Sequence, residues 1–290
     1  QDTQSPSSGH TPTPSGWTTT SIGPITLSAS DNSPGSGLAT NRYTWNSSTM
    51  SSGTTYSSGH TVTIPSEGSH VLRTQATDSA GNTGSTSYWI YRQDTVHPSL
   101  SADKSSSAWS TSTIGTISLS SADTLPGSAL STLIYDWNDP SMNSSASFTN
   151  GQTINGPSDG SHTLYLKATD VAGNETTWSG SYKQDRSNPV VSGTDSNLNW
   201  RTEVVSGVTL STADDSSGSG LYESRYYFGG NSDSNAAKTG TPFVDGYRIN
   251  INSQGVNYLH IYAKDNSGRE SSIWTGTYKI DTVHPLASAD

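Results

Sequence analysis

Cysteine is absent from all 290 residues, so no disulfide staples this chain and its layers must hold by packing alone. Basic residues are scarce as well. Fourteen Lys and Arg stand against 24 Asp and Glu, a net charge of −10, which removes the electrostatic footprint that nucleic acid requires. No apolar run approaches the roughly 18–20 residues of a membrane-spanning helix. The opening Gln1-Asp2-Thr3 has neither the basic region nor the apolar core of a signal peptide. Only 29% of residues are hydrophobic, too little for one deep core but enough for several small sandwiches with one apolar face per sheet. No stretch sustains a 3.6-residue period, which excludes helix as a main element. Low hydrophobicity is also the signature of disorder. Against that reading stand 8 Trp and 14 Tyr, regularly placed, each able to bury a large area.

What is present is a repeat. Gln1-Asp2-Thr3 recurs as Gln93-Asp94-Thr95, Gln184-Asp185-Arg186 and Ile280-Asp281-Thr282, at separations of 92, 91 and 96 residues. Each Asp is followed four residues later by a proline (Pro6, Pro98, Pro189, Pro285), which suits an extended linker or an edge strand. A Trp follows (Trp17, Trp109, Trp200), then an alternating apolar pair (Ile25/Leu27, Ile117/Leu119, Val208/Leu210). A second Asp (Asp31, Asp123, Asp214) opens a Gly/Ser turn before Tyr43-x-Trp45, Tyr135-x-Trp137 and Tyr226-x-Phe228. After an insertion in the third copy near Gly229 to Gly246, a third Asp (Asp78, Asp170, Asp265) precedes a Gly, and each copy closes on Tyr91, Tyr182 or Tyr278. The chain therefore divides into repeats 1–93, 94–184 and 185–280, with 281–290 expected to be the first strand of a further copy and the whole a window on a longer array.

Short alternating runs between Gly, Pro, Asn and Ser predict strands throughout. In the second copy these fall near 96–103, 115–122, 131–138, 152–156, 162–169 and 176–184, with another near 144–149. Six or seven short strands in about 92 residues is an immunoglobulin-like count. The expected fold class is all-β: tandem immunoglobulin-like β-sandwich domains without disulfides.

The run Leu27 to Leu38, the Tyr-x-Trp pair, Gly68-Ser69-His70 to Leu72 and Ala76-Thr77-Asp78-Ser79-Ala80-Gly81-Asn82 resembles the bacterial Ig-like tandem repeats of large adhesin-type surface and secreted proteins. The second copy matches with Ala168 to Asn174, whereas the third departs with Ser267-Gly268-Arg269. The resemblance implies an extracellular or cell-surface structural role, as an adhesin shaft or stalk. Such modules also serve as carbohydrate-binding or spacer units of secreted polysaccharide-degrading enzymes, or assemble into filaments or matrix. The expected partners are neighbouring repeats, with host surface, glycan or self-association beyond them.

In a sandwich, the incoming linker and the loops after the second and sixth strands lie at one end. That gathers Asp2, Asp31 and Asp78 in the first copy, Asp94, Asp123 and Asp170 in the second, and Asp185, Asp214 and Asp265 in the third, with Asp215 beside them. Carboxylates so gathered are what Ca²⁺ requires. The same residues are also ordinary turn chemistry, since Asp hydrogen-bonds its own backbone. Asp103 and Asp159, at the opposite end of the second copy, are expected to add ligands across the next junction. No nucleophile elbow, zinc motif or phosphate loop is present, and the expectation is a non-enzymatic chain without a catalytic residue. Tyr88, Trp89, Trp178 and Trp274 on the last strands are candidate sugar-stacking residues, and Asn231, Asp233, Asn235 and Phe243 mark the insertion as the place for a ligand site unique to this segment.

Overall fold

The computed structural model describes residues 1–194, 196 and 198–286. In the first repeat the strands are β1 (Ser7–Thr11), β2 (Trp17–Thr18), β3 (Ile25–Ser30), β4 (Leu38–Trp45), β5 (Thr54–Thr55), β6 (Thr61–Val62), β7 (Gly68–Asp78) and β8 (Ser87–Gln93). They form two sheets, β1-β3-β6 and β2-β8-β7-β4-β5. All pairings are antiparallel except β2 with β8, where Trp17 lies beside Arg92 in a parallel register. The chain thus runs along one sheet in β1, crosses, and joins the other as β2, an immunoglobulin-like arrangement.

The second repeat comprises β9 (Ser99–Ala102), β10 (Thr116–Ala122), β11 (Leu130–Trp137), β12 (Ala146–Ser147), β13 (Thr153–Asn155), β14 (Gly160–Asp170) and β15 (Glu175–Gln184). Its sheets are β13-β10-β9 and β12-β11-β14-β15. The third comprises β16 (Val190–Gly193), β17 (Trp200–Arg201), β18 (Val205–Ala213), β19 (Leu221–Gly229), β20 (Thr241–Pro242), β21 (Tyr247–Ile251), β22 (Gly255–Asp265) and β23 (Trp274–Ile280). These build β16-β18-β21 and β17-β23-β22-β19-β20. The only helical segments among the described residues are two 3₁₀ turns, Met50–Ser52 and Ser234–Thr239. The expected all-β, immunoglobulin-like sandwich is the observed fold.

Packing divides the chain into two compact units, Gln1–Asp103 with Leu119–Gln152 and Tyr165–Ser179, and Lys104–Ser118 with Thr153–Leu164 and Gly180–Asp290. The first holds the opening repeat together with β9, β11, β12 and parts of β10, β14 and β15 of the second. The second holds the far end of that repeat and all of the third. In earlier copies the first strand starts five residues beyond the linker Asp. That position after Asp281 is Leu286, so the strand expected over 281–290 falls largely on residues 287–290, outside the described residues.

Strand alternation explains each core. Along β7, Leu72, Thr74, Ala76 and Asp78 are buried while the residues between them are not. In the first repeat these meet Ile25, Leu27, Tyr56, Val62 and Tyr91, with Tyr43 and Trp45 packed against them half-buried. β22 breaks the alternation, being buried at His260 and Tyr262 as well as at Leu259, Ile261 and Ala263. The inserted 3₁₀ turn covers its outer face: Nζ of Lys238 lies 5.4 Å from the Tyr262 ring centre, and Asn231 carbonyl is 3.1 Å from His260 Nε2.

The aromatic anchor is the closing tyrosine rather than the tryptophan of the third strand. Tyr91, Tyr182 and Tyr278 are at most 1% exposed. Each hydroxyl donates to a backbone carbonyl where the first strand leaves its sheet: Tyr91 to Pro12 at 2.7 Å, Tyr278 to Thr194 at 3.0 Å, and Tyr182 to Lys104. Burial pushes the Tyr91 phenol up to about 12. The folded state therefore holds this proton more tightly than the unfolded chain. Its contribution is complete below about pH 10 and is lost as pH rises through about 12. Tyr91→Phe is expected to lower stability by roughly 1–2 kcal/mol in urea unfolding at neutral pH, since the Pro12 carbonyl loses its donor. The alkaline loss of stability should shrink in the same variant.

Candidate functional site

The linker aspartates sit at the start of each repeat, between the last strand of one sandwich and the first of the next. Asp94 and Asp185 are fully buried. A buried carboxylate demands hydrogen bonds, and each finds them in its own repeat, in the turn that follows β10 or β18. Ser128 N–H donates to Asp94 Oδ2 at 2.5 Å, and Ser219 N–H to Asp185 Oδ2 at 2.7 Å. Asp2 is held likewise by Ser36 N–H at 2.7 Å. The serine hydroxyls then accept from the loops after β7, β14 and β22, from Ala80, Ala172 and Ser267 N–H at 3.1, 2.9 and 2.9 Å. These serines tie all three segments together. Sequence reasoning overlooked them, although Gly-Ser recurs at 35–36, 127–128 and 218–219.

The third Asp of each repeat caps its own loop. Asp78 Oδ1 accepts from Ala80 and Asn82 N–H at 3.0 and 2.8 Å, and Asp170 Oδ1 accepts from Gly173 and Asn174 N–H at 2.7 and 2.9 Å. The Asn174 amide bridges Asp170 Oδ2 and the Asp94 carbonyl, both at 2.8 Å, and Asn82 does the same in the first repeat. Arg269 replaces this Asn in the third. It still reaches the Asp185 carbonyl, Nε at 3.2 Å, and extends to the Thr111 carbonyl at 2.7 Å, but Asp265 Oδ2 loses its partner.

Three clusters result, in each of which three carboxylate oxygens lie within 4.8 Å of one another: Asp2, Asp31 and Asp78; Asp94, Asp123 and Asp170; Asp185, Asp214 and Asp215. Asp215 stands in the third cluster alongside the two residues expected from the repeat. Asp265 lies close enough for its charge to act on Asp214. Asp123 Oδ2, Asp214 Oδ1 and Asp265 Oδ2 are buried without a hydrogen-bond partner. Burial first, then the charges of Asp94 and Asp170, push the Asp123 carboxyl above its ordinary range. Burial, then Asp185 and Asp265, do so for Asp214. Turn-capping thus engages every carboxylate oxygen of the first cluster but leaves oxygens over in the second and third, and bonded oxygens keep a second lone pair. An oxygen-only donor set of concentrated negative charge fits a hard divalent cation such as Ca²⁺.

Asp159, expected to add a ligand, has a different employment. Its Oδ1 accepts from Gln184 Nε2 at 2.7 Å and from Arg186 Nε at 2.8 Å. Glu67 does the same in the first repeat, taking Gln93 Nε2 at 3.2 Å and Thr95 N–H at 3.0 Å. Neighbouring linker residues are therefore fastened to opposite sandwiches, Asp94 to the second and Thr95 to the first. Of the insertion residues, Phe243 packs into the third core, Asp233 caps the 3₁₀ turn through Asn235 N–H at 3.0 Å, and Asn231 receives His260, so the fold itself occupies them.

No family model and no curated protein matches the sequence. Among solved structures, a tetra-tandem repeat from the extending region of a large adhesion protein shares 16% identity over 96% of this chain and 74% of its own, with a TM-score of 0.47. Drosophila N-cadherin EC1-4 shares 13% over 97% and 77%, at 0.37. The fibronectin(III)-like modules of Clostridium thermocellum CbhA share 12% over 67% and 100%, at 0.27. What fold and site define here is a class, a tandem immunoglobulin-like repeat chain with an acidic cluster at the head of each repeat. No helix among the described residues is long and apolar enough to cross a membrane.

Two outcomes follow from this geometry. Asp123 has a raised folded-state pKa, so the stability it contributes is full below about pH 3.8 and is lost as pH rises through the raised value. Asp123→Asn should therefore raise the melting temperature at pH 7 in chelator and reduce any stabilisation by added calcium, read by thermal unfolding. Second, Ala129 has φ 68° where Gly37 and Gly220 have 80° and 78°. Ala129→Gly should stabilise by about 0.5–1 kcal/mol, because only glycine takes this conformation without a Cβ clash, measured by urea unfolding.

Proposed function

We propose that the chain is a structural segment of an extracellular, bacterial-type surface or secreted protein: a shaft or stalk of Ig-like repeats whose junctions are stiffened by calcium. The observation that carries this reading is the recurrence of buried, partnerless carboxylate oxygens in clusters that include the linker residue itself. Without a cation, like charges at this spacing repel in a partly desolvated site. With one, Asp94 would be bound to the same ion as Asp123 and Asp170, and Asp185 to the same ion as Asp214 and Asp215. The linker would lose its freedom to swing.

The clamp by Glu67 and Asp159 supports the same role from the other side, since it holds the residue after the linker Asp without an ion. Repeats that contact only their neighbours set reach by copy number, which is what a spacer requires. The domain divisions 1–93, 94–184 and 185–280, with a further copy beginning at Asp281, belong to this proposal.

The test is small-angle scattering of the whole chain against calcium concentration, with chelator as reference. The expected outcome is a narrower distribution of interatomic distances and a larger maximum dimension with calcium. The Asp123→Asn/Asp214→Asn variant should not respond. Identical scattering with calcium and chelator would overturn the reading.

A further inference from the structure

The first repeat carries all of its basic residues on one surface. Its only Lys or Arg are Arg42, Arg73 and Arg92, one on each of β4, β7 and β8. Each alternates with core-facing neighbours, Arg42 between Asn41 and Tyr43, Arg73 between Leu72 and Thr74, Arg92 between Tyr91 and Gln93. All three therefore stand on the outer face of the five-stranded sheet. The four acids of the repeat, Asp2, Asp31, Glu67 and Asp78, are gathered elsewhere, three in the acidic cluster and Glu67 in its clamp on Gln93 and Thr95. No carboxylate pairs with any of the three arginines among the described residues. Arg42 and Arg73 each give one N–H to a backbone carbonyl, of Gly53 and Ser47, and keep the rest of the guanidinium fork.

Aromatic surface lies among these charges. Tyr88 is 62% exposed and sits opposite Arg73 in the strand register, with the guanidinium carbon 6.0 Å from its ring centre. Trp89, opposite core-facing Leu72 in the register, belongs to the other side of β8; it is 38% exposed at the sheet edge and fixed by its indole N–H on the Pro14 carbonyl at 2.8 Å. Beside them is an open cleft of about 420 Å³, lined by the Pro14–Gly16 turn, Tyr88, Trp89 and Arg92. Arg92 is four residues along β8 from Tyr88, about 13 Å, a distance that a short oligosaccharide spans.

The other repeats do not keep this face. At the corresponding positions the second has Ile134, Tyr165 and Lys183. The third has Arg225, paired with Glu223 at 2.8 Å, His260, buried under the insertion, and Lys279, a basic residue in the place of Arg92 but without the guanidinium fork. The insertion's own Lys238 is paired with Glu270 at 2.6 Å. In a chain of net charge −10, an arginine face without carboxylates is a local exception.

We propose that this outer face of the first repeat binds an acidic polysaccharide. The guanidinium groups would take carboxylate or sulfate groups through paired hydrogen bonds, while Tyr88 offers ring surface to the sugar. Thr40, Gln75 and Thr77 share the face and supply hydroxyl and amide groups for sugar hydroxyls. A protein partner is less well served. The face offers no deep apolar pocket for an aromatic or aliphatic anchor, the feature on which protein interfaces concentrate their affinity. The site does not rest on the junction cation.

The experiment is affinity electrophoresis of the whole chain in chelator, through gels containing polygalacturonate, heparin, neutral dextran or polyglutamate, with tryptophan fluorescence titration alongside. Retardation by polygalacturonate, by heparin or by both is expected, weakening with salt, and the pattern tells carboxylate from sulfate recognition. Arg73→Ala/Arg92→Ala should lower the affinity at least tenfold and Tyr88→Ala severalfold. Arg73→Lys/Arg92→Lys should fall between, since charge is kept and the fork lost. Unchanged far-ultraviolet circular dichroism and thermal unfolding would show the variants folded. Should one fail to fold, Arg42→Ala and the fluorescence titration carry the same test. No binding to either acidic glycan, binding indifferent to these substitutions, or equal retardation by dextran or polyglutamate would overturn the proposal.

Discussion

A carboxylate removed from water at the hinge between repeats is the constraint on which the rest of the junction depends. Asp94 and Asp185 are fully buried, and a buried charge is tolerated only where donors surround it. Ser128 and Ser219 supply backbone N–H groups to them. For the turn to come so close, the residue before each serine must be glycine. A Cβ on Gly127 would stand 2.8 Å from Asp94 Oδ2, and one on Gly218 2.7 Å from Asp214 Oδ2. The Asn174 amide completes the enclosure by bridging the loop aspartate and the linker carbonyl. Linker, turn and loop are thus three sides of one hydrogen-bonded cage, and the concentration of negative charge inside it is what makes a cation a fitting occupant.

Variation between copies shows which parts of this cage are negotiable. Replacing Asn by Arg269 keeps the contact to the linker carbonyl, gains a hold on Thr111, and leaves Asp265 Oδ2 without a donor. The third repeat consequently leaves open a loop-carboxylate oxygen that the first closes, where the equivalent amide caps Asp78. Outer faces vary independently of the cage, because no core residue lies there. The same sheet surface is arginine-rich in the first repeat and roofed by an insertion in the third.

Much of this was legible in the sequence. The repeat spacing and the alternation of apolar residues place the strands of the second copy within a few residues of their observed positions, because a half-buried strand must alternate. The grouping of Asp94, Asp123 and Asp170 followed from knowing which loops share an end of a sandwich. The importance of the closing tyrosine and of the Gly-Ser turn was not legible. Tyr91 looks like any strand aromatic until its hydroxyl is seen to meet Pro12, and Ser128 acts through its backbone N–H, a group every residue but proline has. Asp159 lies at the junction where it was expected, but its partners were not legible for a related reason, since an acid at a loop start does not announce that Arg186 and Gln184 will fold back onto it.

The sequence by itself determined the class of fold and the set of acidic residues that recur with its spacing, both of which depend on local period. Tertiary structure alone decided which oxygens of those acids are satisfied and which are stranded, and that three arginines distant in sequence share a surface free of carboxylates. The reason is physical. Hydrogen-bond satisfaction and surface charge are properties of neighbours in space, and in a β-sandwich those neighbours are separated along the chain by whole strands.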